Sequence, residues 1–598
     1  MTGPTDLRDF LQRLRAAGEV CEIEAPVDPA LELPEIHRRV IAAGGPALLF
    51  RNPRNSKMPV VTNLFGSAKR VEIAFGNRPK QLIERVVHTA EHLFPLSLSK
   101  IWEARSLAGA ALRVGLRRGS SGPVTEVVDR EAKLSDLPIV TSWPEDGGPF
   151  LTLPLVYTEH PEDGRHNLGM YRMQRHDDRR LGIHWQIGKG GGFHYHTAEQ
   201  KDAALPVTVF LGGPPALIAS AIAPLPEGVG ELILASLLLG SRLPLSKSPV
   251  GGHPLVSGAE IALIGHVPPR ERAPEGPFGD HYGYYSLQHD YPVFHLDAVA
   301  RRADAIYPAT IVGKPRQEDF YLGDFLQDLL SPLFPLVMPA VRDLWSYGET
   351  GYHSLSAAVV NDRYPREAMA SAFRILGEGQ LSLTKFLLVT DTSRDLSDFR
   401  GLLEHLLARV VWERDLFVFA CLSMDTLDYT GPAVNEGSKG VLLGIGDPVR
   451  DLLPEFNGAL PAGVTDAIVY CPGCLVVATA EYAKDPEAAA RIAAEAAFSD
   501  WPLLVVVDDA KRATASDARF LWTCFTRFEP AADIHAASKA IIRNQVSFRG
   551  PVAIDARMKP TYPDELFCDE DTANRVTQRW QEYFPGGMPM GDSDTANL

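Results

Sequence analysis

Residues 274–285 read Pro274-Glu275-Gly276-Pro277-Phe278-Gly279-Asp280-His281-Tyr282-Gly283-Tyr284-Tyr285. Two acidic residues, Glu275 and Asp280, share a loop that its glycines and prolines make stiff. The aromatic neighbours predict a partly apolar pocket in which the two carboxyl groups influence each other's ionisation. A plain tight turn, in which Asp280 bonds the backbone, is the alternative interpretation.

On both sides of this loop, from about residue 115 to 320, strand-like runs alternate with turns rich in glycine and proline. The runs lie at 124–128, 153–158, 207–211, 260–267 and 293–300. This spacing predicts a mostly antiparallel sheet or barrel with inserted helices, one of them near 229–239.

Outside that region the pattern changes to alternating helices and strands, which predicts an α+β multidomain protein. We expect four parts: an N-terminal α/β segment at 1–114, the antiparallel part at 115–325, an α/β domain at 326–450, and a further α/β segment with a tail at 451–598. The last part has the pattern of a partial, degenerate repeat of the third. In it, Val546-Ser547-Phe548 takes the place of Gly437-Ser438-Lys439. The tail from Gly586 on is expected to be loose.

The composition and net charge indicate a globular protein and argue against two classes of partner. The 598 residues include 59 Lys+Arg and 75 Asp+Glu, which gives a formal net charge of −16, and 45% are hydrophobic. Such a chain folds into globular domains. Its acidic balance argues against nucleic acid or an anionic membrane as the main partner, because both require clustered Lys and Arg. The sequence contains no run of about 18 apolar residues, so we predict no membrane span. We also expect no signal peptide and therefore a cytoplasmic protein.

Four further segments contain residue types suited to binding. Residues 167–174 combine an Asn amide, which can bind a hard cation, with Arg172, which can clamp a carboxylate. Residues 184–196 contain three histidines and a predicted loop of three glycines that can approach a phosphate. Glu231 enters a helix, and residues 435–440 form a predicted glycine loop with Lys439. A surface strand, exposed histidines, a helix cap and a plain turn are the respective structural alternatives.

Taken together and in this order, these segments resemble the UbiD-type decarboxylases, which depend on a prenylated flavin. The similarity covers about residues 5–445. The strings Glu-Gly-Pro-Phe-Gly-Asp at 275–280 and Asn-x-x-x-Tyr-Arg at 167–172 are its most specific marks. The family fold has a split β-barrel flavin-binding domain, expected here at 115–325. Behind it lies an α/β domain used for self-association, expected at 326–450.

By the same resemblance, Arg172, Glu275 and Asp280 are the catalytic residues. Arg172 would orient the substrate carboxylate and tune Glu275, and Glu275 would protonate the carbon after CO2 has left. We expect Asp280 to raise the upper pKa of the two acids and Arg172 to oppose that rise. The implied cofactor contacts are Asn167, Gly169, Met170, Gln186 and Lys439.

The family's divalent metal, Mn2+ or Mg2+, is held by an Asn, a His and a Glu, and K+ is a further candidate ion. Asn167 and Glu231 match two of these ligands, but Gly188 stands where the family has its His. We predict His194 as the replacement, because the glycines before it let the backbone turn inward. His184 is the second choice, and water in place of the imidazole is the alternative.

The resemblance implies reversible, non-oxidative decarboxylation of an aromatic or α,β-unsaturated acid on prenylated FMN. A carbon that loses CO2 needs an electron sink, which side chains do not offer. A flavin prenyltransferase would supply the cofactor, and a homodimer or higher homo-oligomer is expected. The alternatives are a menaquinone-pathway decarboxylase of a naphthoate-type acid and a non-catalytic subunit that binds flavin or metal.

Overall fold

The computed structural model describes residues 3–92, 113–186, 190–223, 230–314 and 316–592. The chain forms two compact units: unit 1 contains the chain up to Leu329 and the stretch from Asp564 on, and unit 2 is Leu330–Pro563. The four predicted parts stay a prediction, although the stretch after Pro563 lies in unit 1 and not with the α/β segment before it. Among the described residues, no helix combines the length and apolar composition that crossing a bilayer requires.

Unit 1 opens with a mixed helix and strand region. Its first helix, Leu7–Ala16, begins at Asp6, whose carboxylate accepts a hydrogen bond from the Asp9 amide. The other α-helices in the described part of unit 1 are Glu32–Ala42, Ala68–Phe75, Arg78–His92, Gly190–Gln200, Pro215–Ile222, Glu231–Leu239, Glu318–Leu330 (which ends at the boundary with unit 2) and Glu570–Tyr583. Four strands form the first sheet, in the order Val20–Ile23, Ala47–Phe50, Val60–Thr62 and Tyr307–Pro308.

The main sheet of unit 1 is antiparallel at every pairing, as the alternating strands and turns predict. Its strand order is Phe150–Leu151, Met173–Arg175, Arg180–Ile183, His289–Arg301, Ile261–Val267, Leu205–Leu211, Leu155–Glu159 and His166–Met170. Arg272–Glu275 and Val127–Asp129 also pair with His289–Arg301. A separate small sheet contains Leu255–Val256, Leu243–Ser246 and Leu116–Gly119.

The main sheet curls back on itself. Phe150–Leu151 lies at one end of the strand order and Leu155–Glu159 lies next to the other end, yet they are neighbours in sequence. Likewise, only Tyr171 and Arg172 connect His166–Met170, the last strand, with Met173–Arg175, the second. Because one residue spans at most about 3.6 Å, the two ends of the sheet must be adjacent. Arg172 therefore lies at the seam where the two ends of the curled sheet meet.

Unit 2 contains two sheets with the same strand order and directions. The first consists of Val341–Ser346, Leu355–Val360, Phe386–Thr390, Glu436–Gly444 and Leu416–Ser423, and the second of Val464–Cys471, Cys474–Thr479, Leu503–Val507, Gln545–Asp555 and Ile534–Ile542. The α-helices of unit 2 are Phe334–Val337, Glu367–Leu376, Phe399–Leu407, Trp412–Asp415, Ala488–Ala493, Ala510–Ala513, Asp517–Thr526 and Pro530–Asp533. Side chains of both sheets, including Phe386 and Val476, share one buried apolar cluster.

The strand registers change one detail of the proposed repeat. Leu416 pairs with Leu442 in the first sheet, and Ile534 pairs with Ile554 in the second. This register sets Lys439 level with Pro551, so the expected equivalence of Lys439 and Phe548 is wrong. Whether Lys439 is matched to Pro551 or to Phe548, the second sheet has no lysine at that position. Descent of the two sheets from a repeated sequence stays a prediction.

The two segments predicted as glycine loops are part of a helix and of a strand. Gly190, Gly191 and Gly192 open the helix Gly190–Gln200, and Gly437 and Gly440 lie inside the strand Glu436–Gly444. In both places the missing side chain permits close packing: a Cβ at Gly190 would lie 2.0 Å from Asn167 Oδ1, and one at Gly440 would lie 2.4 Å from the Phe386 ring. The loop predictions are wrong because these glycines make room for neighbours and do not form turns.

The described part of the tail bonds to the rest of unit 1. Between Gly586 and Asp592, Met588 borders the main apolar core and the Gly591 amide donates to the Arg39 carbonyl. The expected loose tail is therefore wrong for this stretch. Residues 593–598 lie outside the described residues.

Candidate active site

Arg172 is the centre of a buried charged network at the seam. Its Nε lies 2.7 Å from Glu275 Oε1 and its Nη2 lies 3.0 Å from Glu275 Oε2, so the pair is bidentate. Nη1 donates to Asp280, and Nη2 also donates to Ser286 Oγ at 2.8 Å. The guanidinium lies over the Phe278 ring, 4.6 Å from its centre. The structure thus brings together the three side chains that the resemblance predicts as catalytic.

Two histidines complete the bonding of the acids. His184 Nδ1 lies 3.1 Å from Glu275 Oε2, and the His184 ring packs against Tyr291 with ring centres 4.4 Å apart. His281 Nδ1 lies 2.6 Å from Asp280 Oδ1. Each acid is therefore held by Arg172 on one side and by an imidazole on the other.

The charge of Arg172 decides how the acids ionise. Burial raises the pKa of Glu275, but the nearby Arg172 charge and the His184 hydrogen bond together lower it to about 2. Burial likewise raises the pKa of Asp280, yet the bond from His281 and the Arg172 charge hold it below its usual range. Of the two opposing effects expected here, that of Arg172 is the larger, because one guanidinium lies between the two acids and favours both anions.

Glu275 and Asp280 are placed by short structural elements. Glu275 ends the strand Arg272–Glu275, where it pairs with His289. Asp280 follows the short strand Phe278–Gly279, which pairs with Tyr285–Ser286 to form a hairpin. The Gly283 amide donates to the Asp280 carbonyl at 2.9 Å, and the His281 amide donates to Asp280 Oδ1 at 2.7 Å, so the tight turn exists together with the carboxylate contacts.

Sequence reasoning missed two residues that hold this loop. Gln174 Oε1 accepts from the Gly276 amide at 2.8 Å, and Asp146 Oδ1 accepts from the Gly279 amide at 2.8 Å. Burial raises the pKa of Asp146 to about 6. The turn-forming run at 143–148, which contains proline, two acids and two glycines, is the signal that points to Asp146.

A backbone hydrogen bond from the strand that contains Asn167 holds Glu231, the other predicted metal ligand, close to Asn167. Asn167 lies in the strand His166–Met170, and Glu231 opens the helix Glu231–Leu239. Glu231 Oε2 accepts from the amide of Leu168, the neighbour of Asn167, at 3.2 Å. Burial raises the pKa of Glu231. The carboxylate thus bonds outside its own helix as well as to its own amide at the helix start, so helix capping alone does not account for its bonds.

Three predicted cofactor contacts lie beside the seam. A Cβ at Gly169 would lie 2.4 Å from the Tyr171 ring, so the strand requires glycine at this position. Met170 ends the same strand and is half-buried. Gln186 Nε2 lies 3.4 Å from His184 Nε2 and so adjoins the Glu275 side of the network. Gly188, where the family has its metal-binding His, lies outside the described residues.

His194 lies in the helix Gly190–Gln200 and has protein partners of its own. Its Nδ1 lies 2.9 Å from Thr158 Oγ1, and its ring meets the His160 ring edge-on at 5.3 Å between centres. Burial lowers the pKa of His194 to about 4, so the imidazole is neutral near pH 7. Thr158 pairs with Asn167 across two strands, which sets His194 near the Asn167 side of the sheet. Its role as a metal ligand stays a prediction.

Lys439 lies in unit 2, whereas the other predicted site residues lie in unit 1. Its Nζ donates to the Thr384 carbonyl at 2.9 Å, and the side chain is almost fully buried. Burial lowers the pKa of Lys439 to about 8, although Asp428 and Asp425 act against this shift. Its predicted contact with a cofactor phosphate stays a prediction.

The residues at the seam fit a flavin in one specific respect. Trp185 Nε1 is buried and has no hydrogen-bond partner among the described residues. Gly191 lies against this nitrogen, since a Cβ there would come within 2.6 Å of it. A buried donor without a partner is costly, and an acceptor group of a bound cofactor would satisfy it.

For a divalent metal the fit is partial. Within the described ranges, no three His, Cys, Asp or Glu side chains come together as a metal site. Asn167 and Glu231 offer two oxygen ligands. Mg2+ is commonly bound by one or two protein oxygens together with phosphate oxygens and water. The described residues therefore fit a metal that is shared with a cofactor phosphate better than one enclosed by protein alone.

Comparisons with known proteins agree with this arrangement. The N-terminal, Rift-related and C-terminal domains of 3-octaprenyl-4-hydroxybenzoate carboxy-lyase match residues 11–90, 116–315 and 320–444. A protein of Chlamydia trachomatis is 51% identical over 581 residues, which cover 97% of this chain and 100% of the relative. A Chlamydia pneumoniae protein, named as one of the subunits of 4-hydroxybenzoate decarboxylase, is 49% identical over 579 residues, 97% of this chain and 98% of the relative.

A solved structure shows the same fold. The UbiD-class enzyme HmfF from Pelotomaculum thermopropionicum, in complex with FMN, is similar with a TM-score of 0.62 and 25% identity, over 77% of this chain and 98% of HmfF. The matched domains cover most of the chain, and the relatives extend over nearly all of it. The chain therefore belongs to the UbiD family of carboxy-lyases.

Proposed function

We propose that this chain catalyses the reversible, non-oxidative decarboxylation of an aromatic or α,β-unsaturated carboxylic acid with prenylated FMN. The observation that carries the proposal is Arg172, held at the seam between the buried acids Glu275 and Asp280. Two comparisons support it: HmfF was solved with FMN, and the Chlamydia pneumoniae relative is named for 4-hydroxybenzoate. Hydroxybenzoates are therefore the first acids to test.

Arg172 would bind the substrate carboxylate. Its guanidinium offers five donors in a fixed planar fork, which matches a carboxylate in two-point geometry. Glu275 and Asp280 already bond it, so the arginine is fixed in place before a substrate arrives. A substrate carboxylate would share the Arg172 charge with these acids and thereby reduce its hold on Glu275.

Glu275 would deliver the proton. Its pKa of about 2 makes it an anion near pH 7, so it must first take up a proton. Sharing Arg172 with the substrate removes part of the charge that keeps this pKa low, and the pKa then rises toward the neutral range. Decarboxylation of a carboxylate consumes one proton, which Glu275 would pass to the carbon that CO2 has left.

The described chain suggests where the cofactor and a metal would be held. Asn167, Gly169, Met170 and Gln186 border the seam, and Lys439 would contact the cofactor phosphate. Asn167, Glu231 and His194 would hold Mn2+ or Mg2+, with K+ as a further candidate ion. When bound, prenylated FMN supplies the electron sink for the pair released from the C–CO2 bond. Self-association through residues 326–450 belongs to the same proposal.

The experiment is co-expression with a flavin prenyltransferase, followed by an absorbance scan and a screen for CO2 release. The panel contains 4-hydroxybenzoate, 3,4-dihydroxybenzoate, cinnamate and a naphthoate. Protein expressed without the prenyltransferase is the control. Release of CO2 from at least one acid, only after co-expression, supports the proposal. A flavin-loaded protein that turns over no acid would favour the non-catalytic alternative.

A further inference from the structure

A short C-terminal stretch contacts the loop that presents Asp280. We call residues 564–567 the strap and residues 278–286 the Asp280 hairpin. The strap lies beyond residue 444, where the match to the family's C-terminal domain ends. The chain reaches it only after passing through both sheets of unit 2. The strap and the Asp280 hairpin are therefore far apart in sequence, and their contact is a tertiary one.

The strap adds a third strand-like segment to the hairpin. The Tyr285 amide donates to the Asp564 carbonyl at 3.0 Å, and the Leu566 amide donates to the Gly283 carbonyl at 3.1 Å. Glu565 faces Tyr284 in an antiparallel bridge. These bonds fix the returning half of the hairpin, whose next residue, Ser286, accepts a hydrogen bond from Arg172.

The side chain of Leu566 anchors the strap behind Asp280. Leu566 is fully buried and forms an apolar cluster with Trp143 and Tyr285. Trp143 in turn lies directly behind Gly279, where a Cβ would come within 2.1 Å of the indole. A continuous line of contacts therefore runs from Leu566 through Trp143 to Gly279, the residue before Asp280.

An ion pair holds the strap from the other side. Lys314, which is almost fully buried, pairs with Glu565. Its ammonium also lies 3.7 Å from the centre of the Phe567 ring. A buried pair of this kind costs desolvation and has a well-defined geometry, so it fixes the register of the strap against the hairpin.

We propose that the strap is a positioning element of the active site, which keeps Asp280 and Ser286 on Arg172. The inference rests on the proposed function for the meaning of this network. It gives the C-terminal stretch a positioning role, although this stretch lies beyond the family's matched C-terminal domain. A shift of the hairpin by about 1 Å would disturb the arginine that binds substrate, and displacements of that size cost on the order of 100-fold in rate.

The first test is amide hydrogen exchange on the full-length, flavin-loaded protein. Leu566→Ala is expected to speed exchange of the Tyr285 amide by about 10-fold or more, because its acceptor in the strap is loosened. Leu566→Met is the conservative variant and should behave like the parent. Tyr583→Phe is the matched control, since Tyr583 belongs to the same C-terminal stretch but bonds Glu32. Unchanged exchange in Leu566→Ala would overturn the proposal.

The second test is a double-mutant cycle on CO2 release from the best acid of the panel. Leu566→Ala should lower kcat by about 10-fold in the parent but by less than about 2-fold in an Asp280→Asn background, because coupled residues are not additive. An equal loss in both backgrounds would show a merely structural role and would contradict the proposal. If Leu566→Ala does not fold, Glu565→Gln takes its place in both tests. A parent without turnover would refute the proposed function, while the exchange result would still decide whether the strap holds the hairpin.

Discussion

Arg172 and Glu275 form a two-point ion pair at the seam of the curled sheet, with Nε 2.7 Å from Oε1 and Nη2 3.0 Å from Oε2. The pair joins two residues that are far apart in sequence. Tyr171 and Arg172 cross between the two ends of the sheet, and Glu275 ends a strand that pairs with His289–Arg301. The fold thus sets a fixed cation beside a fixed carboxylate in the interior of unit 1.

Replacing Arg172 by lysine tests the need for two-point geometry. An ammonium keeps the charge but cannot span both Glu275 oxygens and a substrate carboxylate. We expect Arg172→Lys to lower kcat/KM for CO2 release by about 100-fold, the scale associated with lost orientation. Flavin content, measured by absorbance, should stay at the parent level. Activity within a few-fold of the parent would contradict the role of Arg172.

Glu275→Gln keeps the shape of the side chain but removes the proton that it would deliver. We expect the rate of product formation to fall by about 100- to 10,000-fold, the range for losing a general acid. Asp280→Asn is the companion variant, and we expect a smaller loss because Asp280 acts through Arg172. Product formation is measured by chromatography. Ser286→Ala, which removes an uncharged hydrogen-bond partner of Arg172, is the control. A Glu275→Gln enzyme as fast as the parent would rule out Glu275 as the proton donor.

The Glu275 pKa predicts a pH dependence of stability. The pKa of about 2 in the folded protein lies below the usual 4.5, so ionised Glu275 stabilises the fold above pH 4.5. This contribution is lost as the pH falls from about 4.5 to about 2. Between pH 4.5 and pH 2, the midpoint of urea unfolding should therefore decrease more for the parent than for Glu275→Gln. Equal decreases in the two proteins would mean that the Arg172–Glu275 pair adds nothing to stability.

Metal analysis tests the predicted ligands. We expect Glu231→Gln and His194→Ala to lower the Mn2+ content of purified protein to about half or less, because each would remove one ligand. His184→Ala tests the second choice, and we expect it to keep its metal because His184 Nδ1 faces Glu275. If both histidine variants keep a full complement of metal while Glu231→Gln loses it, neither histidine is the ligand and water replaces the imidazole.

Lys439→Met tests the phosphate contact with little change in volume. The Lys439 ammonium is buried and donates to the Thr384 carbonyl. If it also bonds the cofactor phosphate, its loss should weaken flavin retention by about 10-fold, the scale of one charge-assisted hydrogen bond. Flavin content after extensive dialysis is the measurement, and a thermal melt checks that unit 2 stays folded. Full flavin content with normal activity would refute the contact.

Local sequence patterns predicted the elements that carry the site. The two acids and the glycine and proline residues of 274–285 predicted a shared loop, and the structure has both carboxylates on one guanidinium. The antiparallel sheet followed from alternating strands and turns. The loop predictions failed at Gly190 and Gly437, because a glycine that accommodates a close neighbour looks in sequence like one that forms a turn.

Contacts between distant segments were beyond the sequence argument. Nothing near Leu566 indicates that it packs on Trp143, or that Glu565 pairs with Lys314. The low pKa of Glu275 likewise depends on where the Arg172 guanidinium lies relative to both acids, and only the folded chain sets that position. Local patterns predict elements, whereas tertiary pairing decides which side chains meet.

Isotope exchange at the carboxyl group is the decisive measurement for cleavage of the C–CO2 bond by this chain. Flavin-loaded protein is incubated with 4-hydroxybenzoate or another panel acid in the presence of 13C-bicarbonate, and the acid is analysed by mass spectrometry. Exchange requires cleavage and re-formation of the C–CO2 bond and needs no net turnover. We expect 13C in the carboxyl group of at least one acid with the parent, about 100-fold slower incorporation with Arg172→Lys, and none with flavin-free protein. Full flavin loading without exchange into any acid of the panel would contradict the proposed function.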